Sequence, residues 1–222
     1  MPAIRFDSVA FDLDGTLADT APDIAHALNH ALGTIGRLAI ASQVVRTMIG
    51  DGARNLIRRA LTATGGNDEA LIDQLYPVYV DFYADHPCGG TKPFAGVEAA
   101  MDALAANGVR LAICTNKPER VSRALLEALG WTERFSAIVC GDTLSVRKPD
   151  PAPLFAAIRE ARSAAFVGDS LIDAETARAA AVPFVAVSFG YSSVPADRFG
   201  ADAVIDSFDA LIPALDGLSA AP

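Results

Sequence analysis

From residue 96 onward the chain alternates short apolar runs with longer stretches of helical periodicity, and this rhythm limits the fold more than any other feature. "GVEAAMDALAANG" has apolar residues at helical spacing and closes on Gly108, and "VRLAIC" follows as a short apolar run. The pattern then repeats: "ERVSRALLEALG" with "SAIVCG", "PAPLFAAIREA" with "AAFVG", and "IDAETARAAAV" with "PFVAVS". Strands that are apolar throughout, separated by helices of ten to fifteen residues, predict a parallel sheet covered on both faces. The expected class is α/β, with a Rossmann-like parallel sheet at its core.

Residues 21–86 break the rhythm. "APDIAHALNHAL", "SQVVRTMI", "GARNLIRRAL" and "EALIDQLYPVYVDFYADH" read as successive helices with no strand between them. The flanks "GTLADTAP" and "PCGGTKPFAG" are rich in Gly, Pro and Thr, as hinges are. The expected organisation is a core formed by residues 1–18 and 92–222, with a helical insertion at 19–91. His26 and His30, four apart on a helix, lack a third ligand and are expected to pack there, as are Phe82 and Tyr83.

Composition excludes several classes. Hydrophobic residues make up 51% of the 222, so the chain can bury a core. The formal charge of -9, with no basic cluster to offset it, argues against a nucleic-acid surface. No window reaches the roughly 18 apolar residues of a membrane span, and "MPAIRFDSVAFD" meets charge too early for a signal peptide. Cys88, Cys114 and Cys140 are odd in number and far apart, which suits reduced thiols better than a disulfide framework. A cytoplasmic protein, monomeric or homodimeric, is expected, with no membrane or nucleic-acid partner.

Four polar clusters carry chemistry, each at an expected strand end. "SVAFDLDGT" runs an apolar strand into Asp12 and Asp14, whose side chains point the same way. Gly15 permits a sharp turn, and Thr16 offers a hydroxyl and a backbone N–H. Thr115-Asn116-Lys117 follows the second strand and precedes a helix, a natural phosphate seat, although Thr and Asn are also ordinary capping residues. Lys148 in "RKPDP" is a point charge suited to a phosphate or a carboxylate cluster. "GDSLID" places Asp169 at a strand end and Asp173 one helical turn later. Oxygen ligands from Asp12 and Asp169, with Asp173 as a further candidate, suit Mg²⁺, while charge compensation at a helix N-terminus would use Asp169 and Asp173.

"DLDGTLADT", "CTNK", "RKPDP" and "GDSLID" resemble, in order and spacing, the four motifs of the haloacid dehalogenase superfamily of phosphohydrolases. The resemblance spans nearly the whole chain and implies a parallel α/β core whose helical cap closes over the site. It implies that Asp12 is the nucleophile that becomes an aspartyl-phosphate, and that Asp14 is the general acid and base. It further implies that Gly15, Thr16, Thr115 and Asn116 bind substrate, with Lys148 neutralising charge. Mg²⁺ would be held by Asp12, the Asp14 main-chain carbonyl and Asp169, with Asp173 supporting it directly or through water. Within the superfamily, "VRTMIGDGARNLIRRAL", "TKPFAGVEAAMDALAANG" and "CGDTLSVRKPDPAPL" are similar to a branch whose members hydrolyse 2-phosphoglycolate. Ala181 and Leu171 depart from common choices without removing a ligand.

The expected partner is therefore a small phosphorylated metabolite. A broader sugar-phosphate phosphatase or a phosphosugar mutase uses the same core. A non-catalytic phospho-ligand sensor is the alternative of a different class. Substrate choice is expected in the insertion, where the loop Gly50-Asp51-Gly52-Ala53-Arg54 is expected to face the site, with Arg54 as a candidate for a substrate carboxylate or, more ordinarily, a helix-surface arginine.

Overall fold

The computed structural model describes residues 4–66 and 68–218. The sheet is built from β1 (Ser8–Phe11), β4 (Arg110–Cys114), β5 (Ala137–Val139), β6 (Ala164–Gly168), β7 (Phe184–Val187) and β8 (Ala203–Ile205). Its order is β5-β4-β1-β6-β7-β8, and every pairing is parallel. The chain lays down β1, extends to one side through β4 and β5, then returns to the other side through β6, β7 and β8. A sheet wound this way opens a crevice beyond the carboxyl ends of its central strands, where the order reverses.

Alternate residues of each strand feed opposite faces. Val9, Phe11, Leu111, Ile113, Val167 and Val185 pack beneath α5 (Val97–Ala106), α6 (Glu119–Ala128) and α9 (Leu211–Gly217). Ala10, Ala112, Phe166 and Ala186 face α7 (Ala152–Ala157) and α8 (Leu171–Ala180). The second face is rich in alanine on both sides: Ala174 and Ala177 of α8 meet Ala10, Ala112 and Ala186 in one cluster. Small side chains let α8 lie close to the sheet, which brings its first turn near the end of β1.

Residues 21–85 form α1 (Ala21–Thr34), α2 (Ser42–Arg46), α3 (Ala53–Gly65) and α4 (Glu69–Asp85). They share an apolar cluster of their own around Leu28, Leu32, Ile57, Leu61, Ile72 and Leu75. Val121 of α6 joins that cluster, so α4 leans on the sheet unit there. Where the chain leaves and re-enters the sheet unit, β2 (Ala18–Asp19) pairs antiparallel with β3 (Lys92–Pro93). Asp23 in the first turn of α1 accepts hydrogen bonds from the Gly90 and Thr91 amides and the Thr91 hydroxyl, at 2.6–2.8 Å, and ties the two crossings together.

The alternation of helices and strands from residue 96 reads through to the structure, except at the C-terminal end. β8 and α9 follow the last strand that periodicity identifies. Three strand residues and a seven-residue helix are too short to carry a period. His26, His30 and His86 stack around Phe82, as expected of packing histidines in the helical unit. No helix among the described residues is long and apolar enough to cross a membrane. The three cysteines are free, and burial pushes the Cys114 thiol up to about 12, which leaves it inert.

Candidate active site

The carboxyl ends of β1, β4 and β6 each release a polar side chain into one buried space. Asp12 follows β1, Thr115 follows β4 and Asp169 follows β6, and all three are buried. Asp14 lies two residues beyond Asp12, just before a turn in which Gly15 has φ +82°. A Cβ at Gly15 would lie 2.5 Å from Asp169 Oδ2, so only glycine lets this turn pack against the carboxylate. The Thr16 hydroxyl faces the same residue, donating at 3.5 Å to Asp169 Oδ1. Gly15 and Thr16 thus form a wall behind the aspartates.

Lys148 is buried, with its Nζ 3.0 Å from Asp12 Oδ1 and 2.7 Å from Asp173 Oδ1. Asp173 is the third residue of α8, where it and Ser170 form a capping box: the Ser170 amide and hydroxyl both donate to Asp173 Oδ2. Both oxygens of Asp173 are therefore engaged, one with the helix cap and one with the lysine. Burial by itself disfavours a charged ammonium, but Asp12 and Asp173 outweigh it and hold the Lys148 pKa above its ordinary value.

Asp12, Asp169 and Asp173 bring one ligand oxygen each within 4.8 Å of the others. Against these three carboxylates stands the one ammonium of Lys148, which leaves two negative charges without a counter-ion. Burial, together with Asp173 and Asp14, raises the Asp12 pKa from 3.8 to about 6, against the opposing pull of Lys148. Asp169 is pushed well above the carboxylate range by the same burial and by Asp173 and Asp12. Asp12 Oδ1 lies close to Lys148 but receives no directed hydrogen bond. A divalent cation that prefers oxygen ligands fits this donor set, since it would satisfy that oxygen and neutralise the excess charge.

Asp14 stands apart, at the edge of the cleft. It accepts from the Thr20 hydroxyl at 2.7 Å, and Lys117 Nζ donates to its two oxygens at 2.9 and 3.2 Å. Lys117 also donates to the Tyr83 hydroxyl of α4 at 3.0 Å, with the ammonium 4.3 Å from the Tyr83 ring centre. The cleft above Asp12 and Asp14 is lined from the core by Thr115, Asn116, Lys117 and Pro118, and from the helical unit by Ile24, Ile49, Gly50, Gly52, Ala53, Leu56 and Tyr79. The Asn116 side chain is spent on structure, donating to the Lys148 carbonyl at 3.1 Å and the Gly50 carbonyl at 3.4 Å. Gly52, at φ +85°, passes so close that a Cβ there would lie 3.0 Å from the Asn116 carbonyl oxygen.

The loop at 50–53 faces the site, as its position in the sequence suggests, but Arg54 does not. Its guanidinium turns along the surface to Asp73 and lies 5.7 Å over the Tyr76 ring. One turn into a helix, the side chain follows the exposed face and finds an acidic partner on α4.

Two further residues organise the site: Tyr191, which stands in none of the four motifs, and Lys117, the last residue of "CTNK". Tyr191, after β7, donates its backbone N–H to Asp169 Oδ2 at 2.6 Å. Its hydroxyl lies between the Thr20 and Ala21 amides, which donate at 2.6 and 2.9 Å, and donates to Asp19 Oδ1 at 2.8 Å. Lys117 was visible only as the last residue of a helix-capping triplet. Its pairing depends on α4, far away in sequence, so no local pattern could reveal it.

A family model of haloacid dehalogenase-like hydrolases matches residues 9–187. A phosphoglycolate phosphatase of Agrobacterium fabrum is 42% identical over 210 residues, covering 92% of this chain and 90% of its own. One from Mesorhizobium japonicum is 45% identical, covering 91% and 92%. Among solved structures, a predicted phosphoglycolate phosphatase from Haemophilus somnus superposes with TM-score 0.86 at 30% identity, covering 94% of this chain and 97% of that one. CbbY from Rhodobacter sphaeroides, solved in complex with phosphate, shares the fold at TM-score 0.81 and 24% identity. With Asp12, Asp14, Asp169 and Asp173 gathered at the carboxyl edge of the sheet and these relatives matched over nearly the full length, this chain belongs to the haloacid dehalogenase-like hydrolase family.

Proposed function

We propose that this protein is a Mg²⁺-dependent phosphomonoesterase that hydrolyses 2-phosphoglycolate through a phosphoryl group carried on Asp12. The observation that carries the reading is a cleft at the sheet's carboxyl edge lined by Asp12, Asp14 and Thr115, with Lys148 and Asp169 gathered on Asp12. The names of the relatives supply the substrate.

In this reading an Asp12 oxygen attacks phosphorus, and the bond to the ester oxygen breaks. Asp14 gives its proton to the leaving alkoxide, which departs as glycolate. Asp14 then takes a proton from water, whose oxygen attacks the phosphorus of the Asp12 acyl phosphate, releasing phosphate and restoring the carboxylate. Splitting one displacement into two lets each proceed with a positioned nucleophile. Thr115 and the Asn116 backbone hold phosphate oxygens, and Lys148 compensates charge as the anionic nucleophile approaches an anionic ester. Asp173 acts by holding Lys148. Asp12, the Asp14 carbonyl and Asp169 would hold Mg²⁺, which supplies Lewis-acid neutralisation of the phosphoryl oxygens.

The helical unit at 19–91 is proposed as a cap over the core of residues 1–18 and 92–222, hinged at the β2–β3 ribbon. Its own apolar cluster and its loop over Asn116 support that role.

Phosphate release from 2-phosphoglycolate with Mg²⁺ tests the reading. Turnover that EDTA abolishes and that Asp12→Asn removes supports it. Full activity in either condition overturns the mechanism, and no turnover on any phosphomonoester returns the protein to a phospho-ligand sensor.

A further inference from the structure

Resting on the reading above, we propose that Lys117 is the residue that receives the carboxylate of the substrate and so sets the preference for an acidic over a neutral phosphomonoester. Lys117 is buried, and among the described residues it is the one cationic side chain lining the cleft that holds Asp12, Asp14 and Thr115. The arginines of the helical unit are engaged elsewhere: Arg37 with the Thr64 and Gly66 carbonyls, Arg46 with Asp19, Arg54 with Asp73, Arg58 with Glu69 and Arg59 with Asp51. Lys148 is committed to Asp12 and Asp173 beneath the cleft floor.

Distance supplies the second argument. For Asp14 to protonate the leaving group, the ester oxygen must lie within hydrogen-bond reach of its carboxyl, about 3 Å. Lys117 Nζ is 2.9 Å from one of those same oxygens. In a phosphorylated 2-hydroxy acid of two carbons, the carboxyl carbon is two bonds from the ester oxygen. The substrate carboxylate therefore falls beside Lys117 when the ester oxygen falls beside Asp14.

Donor count supplies the third. An ammonium has three N–H groups. Two face the oxygens of Asp14 and one faces the Tyr83 hydroxyl; when Asp14 carries the proton that it delivers, its O–H oxygen no longer needs the lysine, and that N–H can turn to a ligand. Tyr83 holds the ammonium from the far side, with its ring 4.3 Å away, so the lysine is fixed before substrate arrives. In a buried site, a charge-assisted contact of this kind is worth far more than it would be in water.

The test compares 2-phosphoglycolate with 2-hydroxyethyl phosphate, which has a neutral hydroxymethyl group in place of the carboxylate, in the Mg²⁺-loaded enzyme. Any effect of Lys117 on Asp14 or on folding alters both esters alike and cancels in the ratio of their kcat/KM values. The wild type should prefer the acid at least about tenfold, in line with a hydrogen bond to a charged group. Lys117→Met should lower that ratio at least about tenfold, mainly through KM for the acid, and Lys117→Arg should restore part of it. A ratio unchanged in Lys117→Met overturns the assignment and leaves the proposed function intact. A wild type that hydrolyses phosphomonoesters without preferring the acid overturns the assignment and the choice of substrate together.

Discussion

Lys148 and Lys117 are both buried, and each reaches an aspartate at the end of β1, yet they are held by different parts of the molecule. Lys148 lies between Asp12 and Asp173, and each of the three comes from the sheet unit. Lys117 lies between Asp14 and Tyr83, and Tyr83 belongs to α4 of the helical unit. The first lysine keeps its partners wherever the helices sit. The second has one partner on each unit. The inner pair is therefore placed to compensate charge beneath the site, and the outer pair lies where the helical unit meets the cleft.

Removing the inner lysine is the severest way to probe this difference. Lys148→Met leaves Asp12 and Asp173 facing each other without an ammonium. Breaking a buried ion pair from one side costs about 3–5 kcal/mol, so chemical denaturation in EDTA should show a loss of that order. Phosphate release should fall at least about a thousandfold. A stability within about 1 kcal/mol of wild type would mean that the inner cluster is not the closed unit described.

Asp12 gives the cluster a pH signature. Its carboxyl titrates at about 6 in the folded, ion-free site against 3.8 in an unfolded chain. A raised carboxyl favours the folded state while it is protonated. That contribution is complete below about pH 3.8 and is lost as pH rises through about 6, an effect on the order of 3 kcal/mol. Asp12→Asn has no such proton to lose. In EDTA it should therefore gain stability relative to wild type between pH 4 and 7, and a difference that stays flat would contradict the charge balance assigned to the cluster.

Mg²⁺ should act on the inner cluster and spare the outer pair. At a hundredfold excess over its dissociation constant, it should stabilise the protein by about 2.7 kcal/mol, an upward shift in melting temperature that Asp169→Asn abolishes and Lys117→Met retains. The smallest effect belongs to the outer pair. Tyr83→Phe removes one hydrogen bond to Lys117 and should cost about 1 kcal/mol, read by thermal melting. A larger loss would show that the hydroxyl supports more than the lysine.

The sheet was legible in the sequence because parallel strands buried on both faces leave uninterrupted apolar runs, as "VRLAIC" and "AAFVG" do. The site floor was legible for a related reason: strand ends fix where Asp12, Thr115 and Asp169 emerge. β8 escaped because three residues carry no period. Tyr191 and Lys117 escaped because their partners lie on distant elements, the tyrosine hydroxyl reaching back to Asp19 and the lysine meeting Tyr83. Arg54 takes the ordinary helix-surface course; an arginine near a loop does not by its position say which way it turns, and Asp73 and Tyr76 decide that.

The central claim is that Asp12 carries the phosphoryl group. Acid quenching of the Mg²⁺-loaded enzyme during turnover of 2-phosphoglycolate, followed by peptide mass analysis, tests it directly. The account predicts a phosphoryl adduct on the peptide containing Asp12, absent from Asp12→Asn together with turnover. Sustained phosphate release by Asp12→Asn would contradict it.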